Sequence, residues 1–262
     1  MRIISICPSN TEILHALGLM EQVVAVDDYS DWPVQETSRL PRLGPDLNIN
    51  MDKLESYKPD LVIASLSVPG MEKNVKRLEE RGLPYIALNP KTIDQIYEDI
   101  RFVGAHTGTE RKAAELVARL QQRVERVREK AAKRTWTPRV YWEWWPRPFI
   151  SPAGDTWLTP ISELAGGVNI FADRPGDSVI SQTGREILEQ QPDFLFAVWP
   201  GVHPDKIDPE KIRTRPGWEQ IPAIRHNRIH VMEEGLYCRP SPRLFDGLEK
   251  LVDLLHPELN NA

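Results

Sequence analysis

Five aromatic rings are concentrated in nine residues, Tyr141-Trp142-Glu143-Trp144-Trp145-Pro146-Arg147-Pro148-Phe149. Extended backbone would point Trp142 and Trp144 to one side and Tyr141, Glu143 and Trp145 to the other. One set can enter a core. The other must meet solvent, a ligand or a packing partner, because several exposed tryptophans on a soluble monomer need a reason. A flat, largely apolar ligand stacked on the rings is one such reason; a partner interface and a packed contact between lobes stay open beside it. Asp27, Asp28 and Asp31 are types suited to a hard cation, but they lack the spacing and terminal bidentate Glu of a calcium loop. No metal site is expected. Cys7 and Cys238 are too far apart in sequence for a spacing-defined metal site, and a disulfide between them stays open. His226 and His230 stand four apart in a segment that reads as a strand, which spoils the helical pair of a zinc protease. His15 reads as structural. With no nucleophile elbow, Walker loop or dinucleotide fingerprint in the chain, no catalytic residue is assigned and no enzyme is expected.

The elements that position these residues follow from hydrophobic spacing. Ala113, Leu116, Leu120, Val124, Val127 and Ala131 recur at intervals of three and four, so Thr109–Lys133 is expected to be one helix about 37 Å long. On either side, short apolar runs alternate with helical patterns. The first half predicts strands at Ile3–Ile6, Val23–Val26, Leu61–Ala64 and Tyr85–Leu88. Helices are expected from Pro8 to Leu17, capped by Ser9 or Asn10, and at Met51–Tyr57, Met71–Arg81 and Thr92–His106. The second half predicts strands at Arg139–Trp142, Phe194–Val198 and Ile229–Val231. Its helices are expected at Pro160–Ala165, Gly184–Gln190 and Ser241–Leu255. Lys58-Pro59-Asp60-Leu61-Val62-Ile63 is echoed by Gln191-Pro192-Asp193-Phe194-Leu195-Phe196, each a helix end, a Pro-Asp step and a buried strand. The expected fold class is α/β: two lobes with parallel sheets, residues 1–108 and 135–262, joined by a backbone helix over 109–134. Ligands of such lobes sit beyond the carboxyl ends of the strands, and a continuous helix implies little lobe closure.

Composition excludes several classes. The 262 residues are 40% hydrophobic and 27% charged, as in ordinary globular proteins, with a net charge of −5. Arg123, Arg126, Arg128, Lys130, Lys133 and Arg134 cluster late in the long helix, but Glu125 and Glu129 interrupt them. A solvated face is expected there, not a nucleic-acid site. No apolar run is long enough to span a membrane. Because Met1 runs directly into the first strand, with neither an apolar leader nor an amino-terminal lipid cysteine, a cytoplasmic protein is expected. The alternative is a periplasmic or cell-surface protein whose leader has been removed.

Four stretches resemble the helical-backbone class of ABC-transporter substrate-binding proteins, and within it the periplasmic cobalamin-binding receptors. They are Ile4-Ser5-Ile6-Cys7-Pro8-Ser9-Asn10-Thr11-Glu12, Tyr29-Ser30-Asp31-Trp32-Pro33, Lys58-Pro59-Asp60-Leu61-Val62-Ile63-Ala64 and Arg239-Pro240-Ser241-Pro242-Arg243. The resemblance implies ligand-lining loops at Pro8 and Ser9, Tyr29, Ser65 to Pro69, Trp144, Trp145, Phe149, Ile180, Tyr237 and Arg239. It implies a monomer with no covalent cofactor that holds a corrinoid, cobalamin or cobinamide, in a cleft between two lobes. It also implies permease-docking glutamates at Glu72 and Glu186. The chain departs from the pattern at Ser65 and near Ile180, where the cobalamin receptors carry tryptophans. Two other readings stand beside the corrinoid. One is a receptor for a ferric siderophore or other metal chelate, with Arg147, Arg239 and Arg243 meeting the anion. The other is a cytoplasmic corrinoid-handling enzyme or chaperone using Cys7 or Cys238.

Overall fold

Ile3 and Ile4 are neighbours in sequence and both fully buried, which only a strand covered on both faces allows. The computed structural model describes residues 1–261. Its chain divides into two compact units, Met1–Leu120 with Pro240–Pro242, and Gln121–Arg239 with the residues from Arg243 onward.

In the first unit β1 (Ile3–Ser5), α1 (Pro8–Ala16), β2 (Val23–Val26), α2 (Val34–Thr37), α3 (Met51–Ser56) and β3 (Leu61–Ser65) follow in order. They are followed by α4 (Glu72–Glu80), β4 (Tyr85–Leu88) and α5 (Ile93–Thr107). The strands form one parallel sheet in the order β2-β1-β3-β4. α1 packs on β1 and β3, and α4 on β3. α5 opens with a capping box, Thr92 and Gln95 each serving the other's backbone, and closes at Gly108 with φ 66°.

The long helix α6 (Glu110–Ala131) begins almost at once. A Cβ on Gly104 would lie 2.6 Å from that of Ala113, so only glycine permits this approach of α5 and α6. All six residues of the expected apolar stripe are buried, and Val117 joins them. The division between the two units falls inside α6, between Leu120 and Gln121. Late in the helix, Arg123 binds Asp246 and Glu249 at 2.5–2.8 Å and Lys130 binds Asp253 at 2.5 Å. The basic cluster is thus partly matched by acidic side chains of its own unit.

The second unit continues with β5 (Arg139–Glu143), β6 (Trp145–Pro146), β7 (Phe149–Pro152), α7 (Leu158–Leu164), β8 (Val168–Asn169), β9 (Ser178–Ser181) and α8 (Arg185–Gln190). After it come β10 (Phe194–Ala197), α9 (Pro209–Arg213), α10 (Pro222–Arg225), β11 (Ile229–Val231), α11 (Glu234–Tyr237) and α12 (Leu244–Leu255). Parallel strands run in the order β11-β10-β5-β8, and a separate antiparallel sheet has the order β6-β7-β9. The antiparallel sheet was not expected from the sequence. Among the described residues no helix is long and apolar enough to cross a membrane.

The two Pro-Asp segments do the same work in both units. Lys58 and Gln191 turn the chain at φ 48° and 47° just after α3 and α8. Asp60 then accepts the backbone N–H of Arg2 at 2.6 Å, and Asp193 that of Arg139 at 2.8 Å. The same arginines donate Nε to helix-end carbonyls, Arg2 to Tyr57 at 2.7 Å and Arg139 to Gln190 at 2.8 Å. Each clamp ties the first strand of a unit to its neighbour and fixes their register, Ile3 opposite Leu61 and Val140 opposite Phe194.

Candidate functional site

Beyond the carboxyl end of β1 the chain enters α1 with Cys7 as an N-cap whose side chain caps no backbone N–H but meets Ser9 Oγ at 3.3 Å, and with Pro8 in the first turn. The expected capping by Ser9 or Asn10 is corrected: both lie inside the helix and are buried. Asn10 instead donates Nδ2 to the carbonyls of Ile63 and Ala64 at 3.2 and 3.0 Å, tying α1 to the end of β3. Thr11 Oγ1 reaches Ser5 at 2.8 Å and Ser30 at 2.7 Å, and Ser30 donates to Asp27 at 2.5 Å. Asp27 also accepts the Tyr29 N–H at 2.8 Å. This buried network anchors the loop after β2 and leaves the Tyr29 side chain 48% exposed. Ser65, at the end of β3, is buried and bonded to Ser67 at 2.8 Å. Glu72 is exposed in the first turn of α4 and accepts the Gly70 N–H at 2.7 Å. Ser241, in the short return of the chain to this unit, donates to the buried carboxylate of Glu12.

In the second unit the expected division of the aromatic cluster into a buried and an open set does not hold within β5. Tyr141, Trp142 and Glu143 are all fully buried, because β5 is an inner strand with both faces covered. Trp142 donates Nε1 to Ser162 at 2.9 Å and packs against Phe196 and Tyr237. Trp144 is half-buried, its indole N–H enclosed and without a partner among the described residues. Trp145 alone of the cluster's tryptophans is exposed, at 40%, with its ring centroid 6.2 Å from that of Trp199. Phe149 stacks on Trp218 at 5.5 Å, and Ile180, opposite Ile150 in the small sheet, is 59% exposed. Glu186, in the first turn of α8, accepts from Ser181, which holds its carboxyl below the usual range. Tyr237 is an interior residue whose hydroxyl donates to the Gly247 carbonyl at 2.9 Å. Arg239 is buried and paired with Glu234 at 2.7 Å, whereas Arg147 is exposed.

Sequence reasoning missed the group that organises this end of the unit. The Glu143 carboxylate receives Nη2 of Arg215 at 2.8 Å, Nη1 of the same guanidinium, Trp199 Nε1–H at 3.1 Å and the Tyr141 hydroxyl at 3.2 Å. The Arg215 guanidinium lies over the rings of Phe149 and Trp218, at 5.1 and 4.5 Å. The only sequence signal was Val198-Trp199-Pro200-Gly201, an aromatic residue in a turn just past a buried strand.

The other candidates carry no chemistry. Burial pushes the Cys7 thiol up to about 11, with the Asp27 charge adding to the effect. Burial and Glu234 raise the Cys238 thiol well above its usual range. Burial thus favours the neutral thiol over the reactive thiolate at both positions. His230 lies in β11 stacked on Phe194 at 6.0 Å, and burial lowers its proton affinity. His15 is bonded to Glu36 at 3.0 Å. A cavity of about 270 Å³ lined by Trp136, Phe194, Arg228 and His230 opens at the amino ends of β10 and β11. That is the wrong end of the strands for the ligand of such a sheet.

The family model described as periplasmic binding protein matches residues 3–235. The chain is 30% identical over 262 residues to an uncharacterized ABC transporter substrate-binding lipoprotein, YvrC, of Bacillus subtilis; 98% of this chain and 80% of that protein are covered. The crystal structure of the periplasmic vitamin B12 binding protein BtuF of Vibrio cholerae superposes with a TM-score of 0.79 at 27% identity, covering 97% of this chain and 96% of that one. A possible iron-binding, periplasmic solute-binding protein of Staphylococcus epidermidis superposes with a TM-score of 0.81 at 29% identity, covering 97% and 98%. These relatives overturn the cytoplasmic placement expected from the sequence, since they are periplasmic proteins or lipoproteins. A receptor that hands its ligand to an importer works on the importer's outer side. The chain belongs to the periplasmic binding protein family, whose members are substrate receptors of ABC uptake systems and not enzymes.

Proposed function

We propose that the ligand of this receptor is a corrinoid, cobalamin or cobinamide, bound without a covalent link. The observation that carries the proposal is that each unit, taken by itself, leaves a large ring open to solvent just past the carboxyl end of a parallel strand, Tyr29 in the loop after β2 and Trp145 in β6, two residues past β5. Rings at those positions suit a broad, flat ligand with apolar faces. The 27% identity to proteins named vitamin B12-binding protein supports the same ligand. Tyr29 of the first unit and Trp144, Trp145, Phe149 and Ile180 of the second are the residues proposed to meet it, with the buried Pro8, Ser9 and Ser65 shaping their segments from within. Tyr237 and Arg239 act from the interior, by supporting the segment that carries them. A titration of the protein with cyanocobalamin, dicyanocobinamide and a ferric hydroxamate, read by tryptophan fluorescence and calorimetry, tests the assignment. Micromolar or tighter binding of a corrinoid supports it; binding of the ferric hydroxamate alone refutes it.

The ferric chelate is the second reading, favoured by the likeness to the possible iron-binding protein and by the exposed guanidinium of Arg147. For delivery, we propose that Glu72 and Glu186 dock on basic residues of an ABC permease. Both stand in the first turn of a helix in their own unit, Glu72 exposed and Glu186 partly so. Charge reversal at either position should reduce ligand uptake by cells while leaving ligand affinity unchanged. Normal uptake by the double variant would refute the assignment.

A further inference from the structure

We propose that Trp199 joins Trp145 as the ligand-stacking face of the second unit, and that the buried Glu143–Arg215 pair is the device that fixes its angle. The proposal rests on the reading that the strand-end loops of this unit meet a flat ligand. Trp199 lies two residues past β10, and its indole N–H donates to Glu143 at 3.1 Å, so the ring is held from the core side. Its centroid is 6.2 Å from that of Trp145 and the planes are tilted by 56°, so neither ring covers the other's face. Glu143 is fully buried and Arg215 nearly so. Burying a charge pair costs desolvation that its attraction often fails to recover, so such pairs are poor sources of stability. Here the pair has a positional use. Arg215 is clamped between Phe149 and Trp218, it holds both carboxylate oxygens of Glu143, and Glu143 in turn orients Trp199. All of this sits at the carboxyl end of an inner parallel strand, where ligands of such sheets bind. Trp199 is therefore a ligand-contacting residue, and Glu143 and Arg215 are positioning residues.

The test uses Trp199→Ala, Trp199→Phe and the double variant Glu143→Gln/Arg215→Met, which removes both charges and so avoids stranding one of them. Affinity for cyanocobalamin, dicyanocobinamide and a ferric hydroxamate is measured by calorimetry. The far-ultraviolet circular dichroism couplet of the ligand-free protein reports the coupling of neighbouring indoles. For whichever probe the wild-type protein binds, Trp199→Ala should weaken binding by about tenfold or more and Trp199→Phe by no more than about threefold. The double variant should melt as a folded protein, lose the part of the couplet that Trp199→Phe removes, and bind as weakly as Trp199→Ala. Wild-type affinity in Trp199→Ala, or an intact couplet and affinity in the double variant, overturns the proposal. If the protein binds only the ferric hydroxamate, the corrinoid assignment falls while the role of Trp199 is decided on that probe. If it binds none of the three, the corrinoid assignment falls again, and an intact couplet in the double variant overturns the positioning role.

Discussion

Trp145→Ala separates a ligand-facing tryptophan from a structural one within four residues of sequence. The side chain is 40% exposed, which for a ring of up to ~250 Å² leaves about 100 Å² open. A flat ligand lying on one face covers about 50–100 Å² of this, worth roughly 1.2–2.5 kcal/mol at ~25 cal/mol per Å². Its loss corresponds to a Kd raised roughly eight- to seventyfold. The covered part of the ring, about 150 Å², packs on the protein, so the variant should also lose about 1–3 kcal/mol of stability, less than the control, and binding is compared at a temperature where it is folded. Trp142→Ala is the control. That ring is fully buried against Phe196 and Tyr237, so its removal should cost about 3–5 kcal/mol of stability. The assay is a tryptophan-fluorescence titration with cyanocobalamin beside a thermal melt, for the wild type and both variants. A folded Trp145→Ala protein that binds within about twofold of wild type would refute the reasoning, because the open ring would then lie off the ligand.

Three further outcomes test the scaffold. Asp193→Ala removes the carboxylate that receives the Arg139 N–H; a loss of about 1.5–3 kcal/mol is expected, read as a lower urea midpoint with an unchanged slope. Gly184→Ala should be destabilising by about 1–3 kcal/mol, since Gly184 has φ 72° and a Cβ there would lie 2.9 Å from the Phe149 ring; an unchanged melt would show that Phe149 is free to shift. Asp99 is held up at about 7 by burial, with Glu98 adding to it, and one of its oxygens is enclosed without a partner among the described residues. Its folded-state proton affinity exceeds that of the unfolded chain, so stability falls as pH rises from about 4 to 7. Asp99→Asn should therefore raise the melting temperature at pH 8, by about 2–4 °C after allowance for solvent screening, and little at pH 4. An equal effect at both pH values would contradict the assignment.

Much of the fold was legible because its signals are local. The stripe from Ala113 to Ala131 repeats at the helical period, and it forms the buried face of α6. The Pro-Asp echo marked two equivalent strands, and both use the same clamp to an arginine on the neighbouring strand. The small antiparallel sheet was not legible, since strands of two to four residues carry too few positions to show a period. Ser9 and Asn10 read as caps because their types favour that role. The partners that keep Asn10 inside the helix lie more than 50 residues away, on β3.

The sequence by itself determined the α/β alternation, the long helix and the absence of catalytic motifs. All of these depend on residue types within a few positions of one another. Only the tertiary structure decided which of the clustered aromatics face outward. Alternation along a strand tells inside from outside only when one face is open, and β5 has both faces covered. Likewise, Tyr237 is interior because Gly247 lies across from it. Glu143 orients Trp199 because Arg215, 72 residues along the chain, is folded against it. Contacts across such separations are products of packing, and no spacing rule encodes them.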